Sequence, residues 1–373
     1  MDNTVSLDVS VIIVSWNTIE LLRDCLHSVF EQSAGVRMEV VCVDNASTDG
    51  SAEMVLHEFP SVRLIRNSVN LRFVAANNQA ISVARGKFVL LLNSDTVVLD
   101  RAIARIVSFG ESRPAGAVFG GRVLNSDGSL QRSCFMYPSV ANQLFAALYL
   151  YKLFPGSRLF GRQLMTWWDY AEEREVQTVS GCFALVRKAA IEQVGMMDPL
   201  YYFYGDDHDW CYRFAKAGWK VIYTPEPQII HYGGQSTSVR RRAFALQLHG
   251  SVLLFMRLHR TRVSFCAVRL LIAAYMFFRT GPWALKAMVF PRERDLSIQT
   301  AGTCLIGGLL ALFNWKHLLM NREDVELRLQ HIHSGRHENG NGFHVGVPVD
   351  SGEGRRVHSG EFPFRRHGED TDR

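Results

Sequence analysis

A chain of 373 residues, 47% of them hydrophobic, can bury the core of one large or two modest domains, which excludes disorder of the whole. Its formal charge of +5 is mild for that length and informs only through where the positive residues sit. The seven cysteines (Cys25, Cys42, Cys134, Cys182, Cys211, Cys266 and Cys304) show no CxxC spacing, so neither a zinc site nor a disulfide framework is expected, and a reducing compartment is the default. Acidic Asp2 and Asp8 stand where a signal peptide would carry basic residues, and no signal peptide is expected.

Four short runs follow one another: VSVIIVS (9–15), MEVVCVD (38–44), SVRLIR (61–66) and KFVLLLN (87–93). They are β-branched or leucine-rich, three of them almost wholly apolar, as strands buried on both faces are. Helix-like segments separate them: TIELLRDCLHSVFEQ from Thr18, a short one after 47–50, and VAANNQAISVAR from Val74. The alternation predicts an α/β fold, a doubly wound, Rossmann-like, mostly parallel sheet flanked by helices. Ligands of such sheets bind beyond the carboxyl ends of the strands, so the polar residues there carry the information. The turn after the first strand, SWNTIE, has neither the GxGxxG of a dinucleotide site nor a P-loop. The second strand ends in VDNASTDGS, where Asp44 leaves the sheet, placed to accept hydrogen bonds from a base or ribose, and Asp49 reads as the cap of the next helix. The fourth ends in LLLNSDTVV; there Asp95, after Asn93, reads equally as a turn residue or a site carboxylate.

Residues 133–179, with SCFMYPS, KLFPGS and TWWDYAEE, lack periodicity and predict a long functional loop. The stretch VSGCFALVRKAAIEQVG (179–195) restores a turn, a strand and a helix. It leads to Asp206, Asp207 and Asp209, crowded among Tyr202, Phe203, Tyr204 and Trp210. Neighbouring carboxylates in an apolar setting repel one another unless a cation or a proton relieves the charge. A helix starting near Asp207 sets Trp210, Phe214 and Ala217 on one side and puts the acids in its first turn, where the macrodipole favours them. That suffices for Asp209 and less well for Asp207. The strand VIYTPEPQIIH then ends at His231, beside Gly233 and Gly234.

Seven motifs in order over residues 9–238, SVIIVSWN, VDNASTDGS, NLRFVAANNQAI, LLLNSDTVV, SGCFALVR, YGDDHDWCYR and HYGGQS, resemble glycosyltransferase family 2, the GT-A fold, and especially its rhamnosyltransferase-like members. The resemblance implies that Asp95 and His231 bind a metal, that Asp207 is the general base with Asp206 orienting the acceptor, and that Ser15, Asn17, Asp44 and Asn77 hold the donor nucleotide. It further implies an inverting transfer from a nucleotide-sugar donor, a dTDP- or UDP-sugar with rhamnose plausible, to a polyprenyl-diphosphate-linked glycan acceptor; the irregular stretch 133–179 is expected to cover the acceptor site. Charge building on the departing diphosphate calls for a divalent cation, Mg²⁺ or Mn²⁺, and a histidine in the shell tilts the choice towards Mn²⁺. Two positions depart from the family pattern: Asn93 stands where many relatives have the first acid, and Asp206 where many have glutamate. The first weakens the expected metal site and keeps open an alternative, a non-catalytic nucleotide-sugar-binding or scaffold protein at the membrane.

The expected division is a catalytic domain over 1–239, a basic apolar helical region over 240–325, and a disordered tail over 326–373. No Asp or Glu occurs between Glu226 and Glu293, an interval rich in arginine and in runs such as LLIAAYMFF. Each run is short or broken by arginine, so basic amphipathic helices on an anionic membrane, at its cytoplasmic face, are expected over spanning helices, with a helical cap or dimer interface as the competing reading. No nucleic-acid recognition motif accompanies the charge, and no nucleic-acid partner is expected.

Overall fold

The computed structural model describes residues 6–202, 204–233 and 241–319. They belong to one compact unit, Met1–Leu329, and the second unit, Gln330–Arg373, lies wholly outside the described residues. The expected tail over 326–373 and the boundary near 239 therefore fall outside the description.

The first half alternates as its sequence predicts: β1 (Val9–Ser15), α1 (Ile19–Glu31), β2 (Met38–Asp44), α2 (Ser51–Glu58), β3 (Arg63–Arg66), α3 (Arg72–Val83) and β4 (Phe88–Asn93). After a tight turn come β5 (Thr96–Val98), α4 (Ala102–Glu111) and β6 (Gly116–Leu124). The two-residue strand β7 (Leu130–Gln131) follows, and the stretch expected to be a loop, 133–179, contains short elements, β8 (Cys134–Phe135), α5 (Val140–Ala147), α6 (Leu150–Leu153), β9 (Arg174–Glu175) and β10 (Thr178–Val179). Then follow β11 (Phe183–Arg187), α7 (Lys188–Val194), α8 (Asp206–Lys216) and β12 (Lys220–His231).

The main sheet runs in the order β3-β2-β1-β4-β11-β6-β12-β5. Its β3-β2-β1-β4 half and the β6–β12 pair are parallel, while β11 lies antiparallel between β4 and β6, and β5 antiparallel to β12. Adjacent strand residues point to opposite faces, and here each face has its own core. Ile13, Leu90 and Leu92 pack with α1 through Leu22, Cys25, Leu26 and Val29, spaced for one helical face. Ile12, Val89 and Leu91 belong to the opposite core, which continues through Trp210 and Phe214 of α8 into the C-terminal helices. β3 is only half buried because it forms an edge, which explains its alternating SVRLIR pattern.

The C-terminal region is α9 (Arg241–His259), α10 (Arg262–Val289) and α11 (Arg294–Phe313). The expectation of runs too short to span is corrected here: α10 is continuous for 28 residues, and the segments Arg262–Val289 and Pro291–Phe313 are both long and apolar enough, by length and composition, to cross a membrane. The arginine that interrupts the apolar run, Arg269, is turned onto the end of α11, where its Nε donates to the Ala311 carbonyl at 2.7 Å and its Nη2 to that of Leu312. It thereby satisfies carbonyls that a helix terminus leaves without partners.

Candidate active site

The carboxyl ends of β1, β2 and β4 meet in a run of polar side chains. Ser15 Oγ lies 3.0 Å from Thr18 Oγ1, which lies 3.2 Å from Ser94 Oγ, so a chain of hydroxyls ties the end of β1 to the turn after β4. Asn17, at a positive φ of 53°, accepts from the Thr48 backbone amide at 2.7 Å and donates its own amide to Ser47. Asp49, expected to cap the following helix, does more: its Oδ1 accepts from the Ser51 amide at the start of α2, and its Oδ2 accepts from Ile19 N at 2.9 Å, the first residue of α1. Asp44 is 3% exposed; its Oδ2 accepts from Ser47 N at 3.2 Å, while its buried Oδ1 has no partner. A buried carboxylate oxygen without a donor is costly, and a ligand hydroxyl or imide N–H supplied there would relieve it. Asn77 is placed differently: it is buried on α3 with its amide donating to the Phe73 carbonyl at 2.8 Å, and the structure does not turn it to the same cleft.

Asp95 and His231, 136 positions apart in sequence, are brought together by strand register. β5 pairs with β12 antiparallel, setting His231 opposite Thr96, and Tyr232 N donates to the Asp95 carbonyl. His231 Nε2 lies 3.2 Å from Asp95 Oδ1 and 3.2 Å from Asn93 Nδ2. The other ring nitrogen decides the tautomer. His231 Nδ1 is 2.6 Å from Gln131 Oε1, and the Gln131 amide cannot be reversed, because its Nε2 donates to Asn125 Oδ1 at 2.8 Å and to the His231 carbonyl at 3.1 Å. Nδ1 therefore carries a proton and donates to Gln131, and in the neutral ring Nε2 presents its lone pair to the cleft beside Asp95. With the Asn93 amide rotated to offer its oxygen, three donor atoms converge, one of them a carboxylate. Among the described residues no group of three His, Cys, Asp or Glu gathers, since Asn93 occupies the third place. A mixed N/O set of this kind suits a divalent cation that takes its remaining ligands from a bound diphosphate.

Asp207 lies across the sheet's end, in the first turn of α8. Gly205, at φ 83°, precedes it, a conformation that favours glycine, and a Cβ there would press on Ser251 of α9 at 3.1 Å. Asp207 Oδ1 accepts from the backbone amide of His208 and from its Nδ1, both at 2.8 Å; the His208 ring stacks on Phe135 of β8 with centroids 5.8 Å apart. No described contact takes Oδ2. Burial, then the charges of Asp95 and Asp207, push the Cys182 thiol up to about 12, so one buried thiol at the start of β11 has both carboxylates around it. Asp206 points inward: it is 6% exposed, and burial, reinforced by the charge of Asp207, pushes its carboxyl up to about 8. Asp209 is buried too, and burial alone would raise it; the hydrogen bond from His259 Nε2 at 2.6 Å and the charges of Arg213 and His259 outweigh that and hold it below its ordinary range. The three acids thus differ: Asp207 is partly exposed, Asp206 is shut in, and Asp209 joins α8 to α9. Of the expected anchors, Trp210 and Phe214 are buried with rings 5.2 Å apart, whereas Ala217 is exposed past the helix end. Gln131 and His208 were missed by sequence reasoning; adjacency to Asp207 could have flagged His208, but nothing in the spacing marks Gln131.

A model of the family "Glycosyl transferase family 2" matches residues 10–195, about half of the chain. The chain is 26% identical over 232 residues to N-acetylglucosaminyl-diphospho-decaprenol L-rhamnosyltransferase of Mycobacterium tuberculosis, covering 59% of this chain and 74% of that one. It is 28% identical over 243 residues to the O-antigen biosynthesis protein RfbC of Myxococcus xanthus, covering 64% of this chain and 18% of that one. Among solved structures, it resembles mannosyltransferase PcManGT from Pyrobaculum calidifontis in complex with GDP-Man and Mn²⁺, at a TM-score of 0.51 and 17% identity, covering 83% of this chain and 88% of that one.

Proposed function

Because the chain belongs to glycosyltransferase family 2, among its rhamnosyltransferase-like members with the GT-A fold, and works in the synthesis of polysaccharide or cell-wall glycans, we propose that it moves a deoxyhexose such as rhamnose from a dTDP- or UDP-sugar to a hydroxyl of a polyprenyl-diphosphate-linked glycan. The observation that carries this reading is the pairing of Asp95 with a His231 whose tautomer is fixed, with Asp207 in the first turn of α8 sharing the buried Cys182 thiol as a neighbour. Asp44, with its unpartnered oxygen, takes the base or ribose, and Ser15 and Asn17 form the floor beneath the nucleotide. Asn77, turned onto its own helix, acts through the wall of α3.

Asp95 and His231, with Asn93 beside them, would hold Mg²⁺ or Mn²⁺, which when bound supplies Lewis-acid stabilisation of the diphosphate leaving group. The acceptor oxygen attacks the anomeric carbon as the bond to the diphosphate breaks; Asp207 Oδ2 receives the hydroxyl proton, and the configuration inverts in a single displacement. His208 holds Oδ1 so that the free oxygen keeps one direction. Asp206, buried beside Asp207, would orient the acceptor only through its neighbour, as a positioning residue behind the base. The helices α10 and α11 bring the site to the cytoplasmic face of a membrane, where a lipid-linked acceptor is found.

The test is Asp207→Asn in the purified full chain. Transfer is expected to fall by at least ~10²-fold while nucleotide-sugar binding by calorimetry stays within about threefold of the parent. Transfer at the parent rate would remove Asp207 as the base, and a parent protein that binds nucleotide sugars without ever transferring one would favour the scaffold alternative. Repeating the binding with dTDP-, UDP- and GDP-sugars identifies the donor.

A further inference from the structure

We propose that the segment over α5 and α6, residues 140–160, is a second membrane contact that seats on an anionic bilayer together with α10. This rests on the membrane-association reading above, and goes beyond it by adding an element inserted within the catalytic half of the chain. The first observation is compositional. No Asp or Glu occurs between Asp127 and Asp169, while Lys152, Arg158 and Arg162 in that interval are exposed. The C-terminal interval between Glu226 and Glu293 has the same character, and the fold brings the two acid-free stretches side by side. α5 packs against α10, and the hydroxyls of Tyr149 and Tyr275 lie 2.9 Å apart, with Arg279 donating to Tyr275.

The second observation is what the segment leaves outside. Leu148, Leu153, Phe154 and Leu159 are all more than half exposed, Leu153 at 68%. They are not loosely held: Phe160 sits between Phe145 and Phe154 at ring distances of 5.2 and 5.4 Å, and the Ser139 side chain caps the start of α5 by accepting from Asn142 N. A rigid support therefore presents apolar side chains to the outside. On α10 the exposed apolar residues Val263, Leu270, Phe278, Leu285 and Met288 recur at spacings that keep them on one side of the helix, Phe278 at 81% exposure. An apolar area of this extent, rimmed mainly by cations, with Glu293 paired to Lys286 at the far end of α10, suits anionic headgroups above and acyl chains below. A second copy of the chain is the less fitting occupant, since two faces rimmed mostly by cations would repel.

The test uses the full chain with its exposed Cys266 replaced by Ser and one new cysteine, L153C or F278C, carrying an environment-sensitive fluorophore. Both positions are exposed, so folding is not at issue. With phosphatidylglycerol vesicles both labels are expected to shift to the blue, and with phosphatidylcholine vesicles the shift at 153 is expected to need more lipid. Adding K152Q and R158Q should raise the phosphatidylglycerol concentration for half of the shift at 153 by at least ~fivefold. A shift at 278 with none at 153 overturns the proposal and leaves the C-terminal reading standing; no shift at either overturns both. A blue shift at 153 that grows with protein concentration in the absence of vesicles assigns the face to a second copy and equally overturns it.

Discussion

Gln131 has no role in the reaction itself, yet the site depends on it, because its fixed amide determines which nitrogen of His231 faces Asp95. Removing the acceptor lets the imidazole turn or change tautomer and withdraws the lone pair from the cleft. Gln131→Leu is therefore expected to weaken Mn²⁺ binding by about 10–100-fold, measured by calorimetry or by the manganese resonance signal, with little change in thermal stability. Unaltered Mn²⁺ affinity would mean that the tautomer does not matter. The contrast with Asp44, Asp95, Asp207 and His231 shows what is legible in a sequence: these residues stand at strand or helix ends, where apolar periodicity stops and a polar side chain needs a reason. Gln131 sits in a two-residue strand, a hundred positions from its partner, and no local pattern points to it. Asn77 shows the converse, a polar residue in a persuasive motif whose amide the helix itself has taken.

At the level of the element, α8 carries its three acids for three separate reasons, and the helix macrodipole that accounts for acids in a first turn does not distinguish them. Asp209, 1% exposed, accepts from both His259 and Arg213 and is the link that holds α8 to α9. Asp209→Asn leaves those partners facing a neutral group and is expected to cost about 2–3 kcal/mol, read as a lower denaturation midpoint with α8 intact. The sign with pH follows from its depressed carboxyl. Its contribution is present above the ordinary value of 3.8 and is lost as pH falls through the lower folded value, so the parent should lose stability on acidification more steeply than the Asn variant. Parallel acid-unfolding profiles would refute this. Helix α10 was harder to read from sequence than α8, because Arg269 and Arg279 break its apolar run; Arg269 serves the α11 carbonyls, and Arg279 donates to Tyr275 one turn back on α10 itself.

At the scale of the molecule, the two acid-free stretches, 128–168 and 227–292, pack against each other through α5 and α10, while the carboxyl ends of β2 and β4 carry Asp44 and Asp95. The alternation of strand and helix and the strands buried on both faces were readable from periodicity, since burial dictates it, whereas the strand order and the antiparallel β11 and β5 were not. Nor was the placement of 133–179, because it is held by two-residue strands and scattered aromatic side chains that no periodicity marks: Phe135 stacks on His208, and Tyr149 bonds Tyr275 of α10. If an anionic bilayer receives the side where α5 and α10 meet, attraction must be screened by salt. Raising salt from ~0.1 M to ~1 M, which shortens the screening length from about 10 Å to about 3 Å, is expected to weaken the protein's initial capture by phosphatidylglycerol vesicles severalfold and its capture by phosphatidylcholine little. Equal salt response on the two lipids would count against electrostatic docking.

The bond between His259 and Asp209 has one more implication. Only Arg260 and Thr261 separate α9 from α10, so α8, bonded to α9 through His259, and the α10–α11 pair are joined without a hinge of any length. If, as proposed, Asp207 takes the proton and α10 and α11 meet a bilayer, Asp207 stands at one altitude over the lipid. An acceptor glycan one sugar too short or too long would offer its hydroxyl at the wrong height, and the number of sugars already added would be gauged by distance as well as by shape.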